Sequence, residues 1–561
     1  MSHRRSVLIL MVLALTLRLS GQAPNHQHYE SPPEEVKAGP GGQLAPRLQN
    51  LGSHRFPVTA QSERAQLFIN QGVNLSYGFN HAEAARAFME AARLDPNCAM
   101  AYWGHALVLG PNINAPMNPD DEKRAHELVQ QALALSSQVS ERERDYIQAL
   151  SKRYSGSSQD RADGDRAYAN AMRDLHLRYP GDLEAATLFA ESLMDLQPWN
   201  YWTRDGHPYP VTRETVAALE AVLGSNPDHP GANHLYIHIF ESTDPHRAEA
   251  AADRLRRLMP GAGHIVHMPS HIYIRVGRYA DASEANRQAI LADEDYITQC
   301  RAQGIYPLGY YPHNIHFLWA ASTLEGNAGE AISAARKTAA QIPVETLEEL
   351  PFLQGFLAVP YHALVRFGRW DDILATTESA DDQSLFLRGM QLYARGRALL
   401  GKARLVEAQR QLEELNEIVS GKTLMQTSAS FSDNTAHAIL RIAPQVLAGE
   451  LAAKRGDFDK AIAHLERAVR YEDSLIYTEP ADWHYPVRHS LGAVLLEAGR
   501  AEEAEVVYWE DLNKNPDNGW ALFGLVQSLK AQGKDQQAAE AEGRFKKAWI
   551  RADVELTSSR F

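Results

Sequence analysis

Histidine falls at helical spacing in consecutive stretches between Pro230 and Thr323: His234 and His238 with Glu241, then His264, His267 and His271, then His313 and His316. Residues three, four or seven apart share one face of an α-helix, so each stretch presents its imidazoles as a stripe. Only 23 of the 561 residues are histidine, far too few for chance placement to produce such stripes. Imidazole is the commonest metal-binding side chain, and near neutral pH it is mostly uncharged and able to donate a lone pair. The pairs His234/His238 and His267/His271 have the His-x-x-x-His spacing, which sets nitrogens on successive turns, close enough to share an ion. Together the stripes could hold two ions with three nitrogens each, or one ion with the remaining rings in support. All-nitrogen ligation favours copper or zinc, whereas Glu241 as a ligand widens the choice to iron or manganese. Glu241 is also the candidate catalytic base; whether the chain is an enzyme is left open. If it is, a bound ion would activate water or oxygen.

Other residues near the stripes bear on the same chemistry. Pro269, between His267 and His271, removes a backbone donor and should loosen its helix. Tyr273, Tyr310, Tyr311 and Trp319 are placed to wall a pocket, or to pack in a core as aromatics usually do. Isolated histidines such as His81, His105, His362 and His489 read as structural. Gly421-Lys422-Thr423 has the end of a phosphate-binding loop, but Asn416 stands where that loop needs glycine.

The elements that must position the stripes repeat along the chain. Phe68, Gly72, Leu75, Ala84, Phe88, Ala91 and Pro96 form one unit; Gly449, Gly456, Ala461, Leu465 and Ala468 another; Leu491, Gly492, Leu495, Gly499, Ala504, Tyr508 and Pro516 a third. Small residues stand where two helices would touch, and proline ends the second helix. This pattern resembles the tetratricopeptide repeat over most of the chain. Strand signals are nearly absent, so the expected fold class is all-α, a superhelical solenoid of tetratricopeptide-like helix pairs. In that family the first helix of each pair lines a concave groove. With Gly277/Ala282 and Gly326/Ala331 as anchors, the resemblance sets His264, His267, His271, His313 and His316 on groove positions. The runs His267-Met268-Pro269-Ser270-His271 and Tyr310-Tyr311-Pro312-His313-Asn314 also resemble exported bacterial proteins of this repeat type, a likeness that implies no particular activity.

Composition excludes several other classes. A formal net charge of -14 with no basic cluster argues against nucleic acid, which is bound by neutralising phosphates. Two cysteines, Cys98 and Cys300, allow one long-range disulfide or two buried thiols, but no thiolate zinc site. Arg4 and Arg5 before the apolar run Val7–Leu17 give residues 1–23 the form of a signal peptide, and the arginine pair resembles a twin-arginine signal. The expected location is therefore exported, periplasmic or secreted, with no membrane span after cleavage.

Residues 24–60 read as a Pro/Gly-rich linker, in which His26 and His28 are solvated. Residues 61–228 are N-terminal repeats, with an insertion near 198–210 that could cap the groove. Residues 229–376 are the central histidine-rich repeats, and 377–561 the C-terminal ones. The groove should take a peptide, protein or small molecule. A non-catalytic scaffold binding peptide or protein partners is the alternative to a metal centre.

Overall fold

The structure is a computed structural model that describes residue 39 and residues 42–156, 161–203, 205–300, 306–376 and 384–561. The leader at 1–23, His26 and His28 lie outside the described residues. Those described are helices joined by short turns, and strand-like pairing is confined to isolated bridges such as Asn112–Ala115 and Trp202–Pro208. Polar side chains start the helices by accepting from the free amides of the first turn. Ser62 accepts from Ala65, Asp182 from Ala185, Asn327 from Glu330 and Asn518 from Ala521.

Consecutive helices pack as pairs: Glu63–Tyr77 on His81–Leu94, Tyr311–Leu324 on Ala328–Ala340, and Ile442–Lys454 on Phe458–Asp473. Ala84, Ala87, Phe88 and Ala91 are fully buried where the first pair meets. First helices also touch the first helix of the next pair, as Tyr311–Leu324 does Gln354–Arg366 and Val487–Glu497 does Gly519–Ala531. This is the architecture of a tetratricopeptide-type solenoid, and it is all-α as the sequence pattern requires.

The superhelix winds tightly enough for distant repeats to touch its middle. From the C-terminal side, the Trp520 indole N–H donates to the Thr323 carbonyl at 2.9 Å and the Tyr279 hydroxyl to the Pro516 carbonyl at 2.8 Å. Asp553 accepts from the amides of Ala328 and Gly329 at 2.6 and 2.9 Å. From the N-terminal side, Tyr296 donates to Asn80 at 3.2 Å and Gly261 to the Asn50 carbonyl at 2.8 Å. These contacts enclose the middle repeats, where His234, His238, His264, His267 and His271 are buried.

The reading of residues 24–60 as a linker needs refinement where the chain is described. Residues 42–60 are non-helical, yet Ala45, Leu51 and Phe56 are buried, and the amides of Leu48 and Phe56 donate to Gln71 and Asn70 of the first helix. Polar composition concealed three apolar anchors spaced along an extended strap. The insertion near 198–210 folds back: the Trp202 indole donates to the Ile239 carbonyl at 2.6 Å, and Trp199 stands edge-on to His238 with ring centres 5.2 Å apart. Cys98 and Cys300 are both free and buried. Among the described residues no helix is long and apolar enough to cross a membrane.

Candidate metal centre

Three helical stretches carry the imidazoles: Pro230–Phe240, the broken pair Gly263–His267 and Pro269–Arg275, and Tyr311–Leu324. Two glycines seat these stretches against neighbouring helices. A Cβ on Gly231 would lie 2.5 Å from the Tyr77 ring, and one on Gly263 would lie 1.8 Å from the Asp293 carboxylate. Pro269 ends the first half of the broken pair, as its missing amide demands, without disturbing the alignment of His267 with His271.

The structure gathers six of the seven predicted histidines into two groups of three. His234, His238 and His264 form one triad, and His267, His271 and His313 the other; within each, one nitrogen per ring lies within 4.8 Å of the others. The triads adjoin: ring centres of His238 and His271, and of His264 and His267, are each 5.9 Å apart. His316 is not among them. Its ring stacks on Trp319 at 5.1 Å and faces Phe356 at 5.4 Å. Three residues beyond His313 on the same helix, it points past the triad.

Hydrogen-bond partners fix which nitrogen of each ring is available. His234 Nδ1 is 2.6 Å from the Tyr77 carbonyl, which can only accept, so Nδ1 carries the proton and Nε2 the lone pair. His238 Nδ1 faces the Glu241 carboxylate at 3.4 Å, with the same result. The two Nε2 atoms are 3.0 Å apart. His267 repeats the device: Nδ1 donates to Asn286 Oδ1 at 2.7 Å, and the Asn286 amide is oriented by donating to the Ala282 carbonyl at 2.8 Å. His271 Nδ1 lies 3.1 Å from Glu241 and 3.0 Å from Glu479, and its Nε2 is 3.0 Å from that of His267. Neither nitrogen of His264, 2% exposed, has a partner.

Burial and then the neighbouring imidazoles push His234, His264, His267 and His313 well below the usual histidine range; burial lowers His238 against the opposing pull of Glu241. These rings are neutral. His271 differs, because Glu241 and Glu479 outweigh its burial and raise it to about 10. Burial pushes Glu241 up, but His271 and His238 bring it down to about 2. In the second triad a proton on His271 Nε2 can therefore bridge to His267. In the first triad no such proton is available, and two lone pairs face each other.

Aromatic rings dry both triads. Phe79 lies against His234, His238 and His264, with centroid distances of 4.5, 5.8 and 5.6 Å. Phe317 lies against His267, His271 and His313 at 4.7, 4.5 and 5.0 Å. Phe79 and Trp199 both have left-handed backbones, with φ of 53° and 62°. For residues other than glycine this costs about 1–3 kcal/mol each, a strain that gathers at functional sites. Of the other tyrosines named from the sequence, Tyr310 touches His264 at 4.8 Å, whereas Tyr273 donates to Asp253 and Tyr311 to Glu294.

Sequence reasoning missed Glu479, a loop residue with no local motif, and Asn286, whose role depends on a neighbouring helix. It also missed His54, Glu184 and His229, which lie close enough to hold an ion. That group fails the lone-pair test: His229 Nδ1 accepts from the Ala232 amide at 3.1 Å, so Nε2 carries the proton and gives it to Glu184 at 3.0 Å. It is a helix cap tied to a carboxylate, lining a cavity of about 1020 Å³ with Arg142 and Arg178. Glu241, His271 and Glu479 also cluster, with the two carboxylates 3.1 and 3.0 Å from His271 Nδ1. His489, read as structural, sits between Asp511 at 2.8 Å and Arg366 at 2.8 Å.

No protein-family model and no curated protein sequence matches the chain. Several solved structures are similar to it at low identity. The Cut9-Hcn1 hetero-tetramer of the APC/C aligns at 11% identity over 88% of this chain and 80% of that one, with a TM-score of 0.34. A human IFIT1 dimer with m7Gppp-AAAA aligns at 11% over 87% and 91%, TM-score 0.31. Yeast Tom70 aligns at 11% over 85% and 90%, TM-score 0.26. The helix pairing described above defines the solenoid without them.

Proposed function

We propose that this solenoid is a metalloprotein holding a pair of ions, one in each histidine triad, with copper a better fit than zinc. The observation that carries the reading is the approach of two lone-pair-bearing Nε2 atoms, those of His234 and His238, to 3.0 Å. Their Nδ1 protons are committed elsewhere, so only a cation between them makes that contact favourable. Backing a ligand histidine with an acceptor on its far side is the arrangement that orients it toward a metal, and four of the six have one. It recurs here through Tyr77, Glu241, Asn286 and Glu479.

Copper is favoured by the donor set. The ligands are three imidazoles per ion, and the carboxylates stand behind them, which argues against iron or manganese. Glu241 and Glu479 are two buried carboxylates, and Arg275 stands 3.6 Å from the second, so the site offsets monovalent ions better than divalent ones. Glu241 touches both His238 and His271 and so positions both triads. When bound, such a pair supplies adjacent redox-active or Lewis-acidic centres. His313 is only half-buried, leaving a small molecule a way to the second triad, as a catalytic site needs and a closed structural site does not. The basic and apolar leader supports delivery outside the cytosol. The second reading, a peptide-binding scaffold, is favoured by the cavity of about 1020 Å³ beside His54 and Arg142.

Metal analysis of the purified full-length chain separates the two. Two copper ions per chain are expected, one lost in His234→Ala/His238→Ala and the other in His267→Ala/His271→Ala. A folded wild-type protein that takes up no stoichiometric metal when offered copper or zinc overturns the proposal.

A further inference from the structure

His316 belongs to a second buried constellation. Its ring stacks on Trp319; Trp319 contacts His484 at a ring-centre distance of 3.7 Å and His362 at 6.2 Å; His362 meets Trp483 at 5.4 Å. Trp319 and Trp483 are 1% exposed, His362 4% and His484 8%. The indole nitrogens of both tryptophans, Nδ1 of His362 and both ring nitrogens of His484 are buried with no hydrogen-bond partner. Buried polar groups are normally paired, so this many unpaired nitrogens in one place call for a missing partner.

The chemistry differs from that of the triads. Indole N–H groups can only donate, and no carboxylate forms an ion pair with His316, His362 or His484 among the described residues. No carboxylate stands behind these rings, as Glu241 and Glu479 stand behind His238 and His271. The one full charge acting on the cluster is positive. Arg366 is buried, lies close enough to bear on His484, and reaches Asp511 only through His489. Unpaired donors beside a buried cation suit an acceptor with negative charge.

We propose that Trp319, Trp483, His362 and His484 bind the carboxylate of a small organic acid whose apolar or aromatic body lies along Phe356 and Phe431 toward His313. Phe356 faces both His316 and Phe431, at 5.4 and 5.3 Å, and Phe431 reaches His313 at 6.3 Å. Phe431 is 42% exposed, so this row of rings reaches the surface. The carboxylate pocket stands on its own observations. That the acid is the substrate of the metal pair rests on the preceding proposal.

Phenylacetate is the probe, titrated into full-length protein with ¹⁵N-labelled tryptophan, both chelator-treated and copper-loaded. The expected result is a saturable downfield shift of the Trp319 and Trp483 indole N–H resonances, assigned with Trp319→Phe and Trp483→Phe, while the other indoles stay in place. Phenylacetamide should bind at least tenfold more weakly, and His484→Leu should weaken phenylacetate at least tenfold. If Trp483→Phe does not fold, the Trp319 resonance in wild type decides. Resonances that do not move, because trapped water satisfies these nitrogens, overturn the proposal; so does equal response to phenylacetamide or chloride. Phenylacetate binding to a protein that takes up no metal would sink the metal reading and leave this one standing.

Discussion

Replacing Asn286 with leucine tests whether the second triad is built for a metal. Asn286 is fully buried and serves one purpose at the site: its oxygen accepts the His267 Nδ1 proton at 2.7 Å while its amide is pinned by the Ala282 carbonyl. Leucine is close in volume and removes the acceptor. His267 can then turn or change tautomer, with only the Ser270 hydroxyl, 3.3 Å away, as a substitute. Loss of such an outer partner weakens metal binding about 10- to 100-fold, or roughly 1.4–2.7 kcal/mol. That is comparable to the ~1–3 kcal/mol of leaving a buried N–H unpaired. Titration of copper(I) against a chromophoric competing chelator should resolve two binding steps, of which one weakens by this factor. The other should be unchanged, since His234 and His238 lean on Tyr77 and Glu241. Two steps that weaken equally, or a variant indistinguishable from wild type, would refute the assignment of two triads of which only the second leans on Asn286.

Gly263→Ala should cost about 1–3 kcal/mol as an overpacked contact and should displace His264, so thermal unfolding and the affinity of the first triad fall together. Phe79→Ala removes the ring that covers three imidazoles; chemical denaturation should show a loss of about 3–5 kcal/mol. Asp293 predicts a pH effect. Burial raises it to about 7 against the hydrogen bonds from Tyr306 and Asn314, so between about pH 4 and 7 the folded state holds a proton that the unfolded state has lost. Stability should therefore fall as pH rises through that window, by on the order of 4 kcal/mol at most. Asp293→Asn should flatten the slope in urea denaturation; a slope of opposite sign would show that the carboxylate is charged when folded.

The fold was legible because each repeat announces itself locally: alanines and glycines at the helix crossings, caps such as Ser62 and Asn327, and proline after the second helix. Most of the candidate centre was legible too, since His234/His238 and His267/His271 depend only on helical spacing. What could not be read was long-range. His316 has the spacing of a ligand, yet three residues beyond His313 its ring packs on Trp319 and lies outside the triad. Glu479 reaches His271 across more than a third of the chain, and His54 lies in a segment whose composition looks like a tether.

The closure of the superhelix changes how this chain should come apart. An open solenoid frays unit by unit, because each repeat leans only on its neighbours. Here Asp553 holds the amides of Ala328 and Gly329, and Trp520 holds Thr323, so the last turns brace the repeats that carry the imidazoles. Shortening the chain by its final helix would unseat the centre from a distance of sequence that no ligand occupies, and the array should melt as one piece.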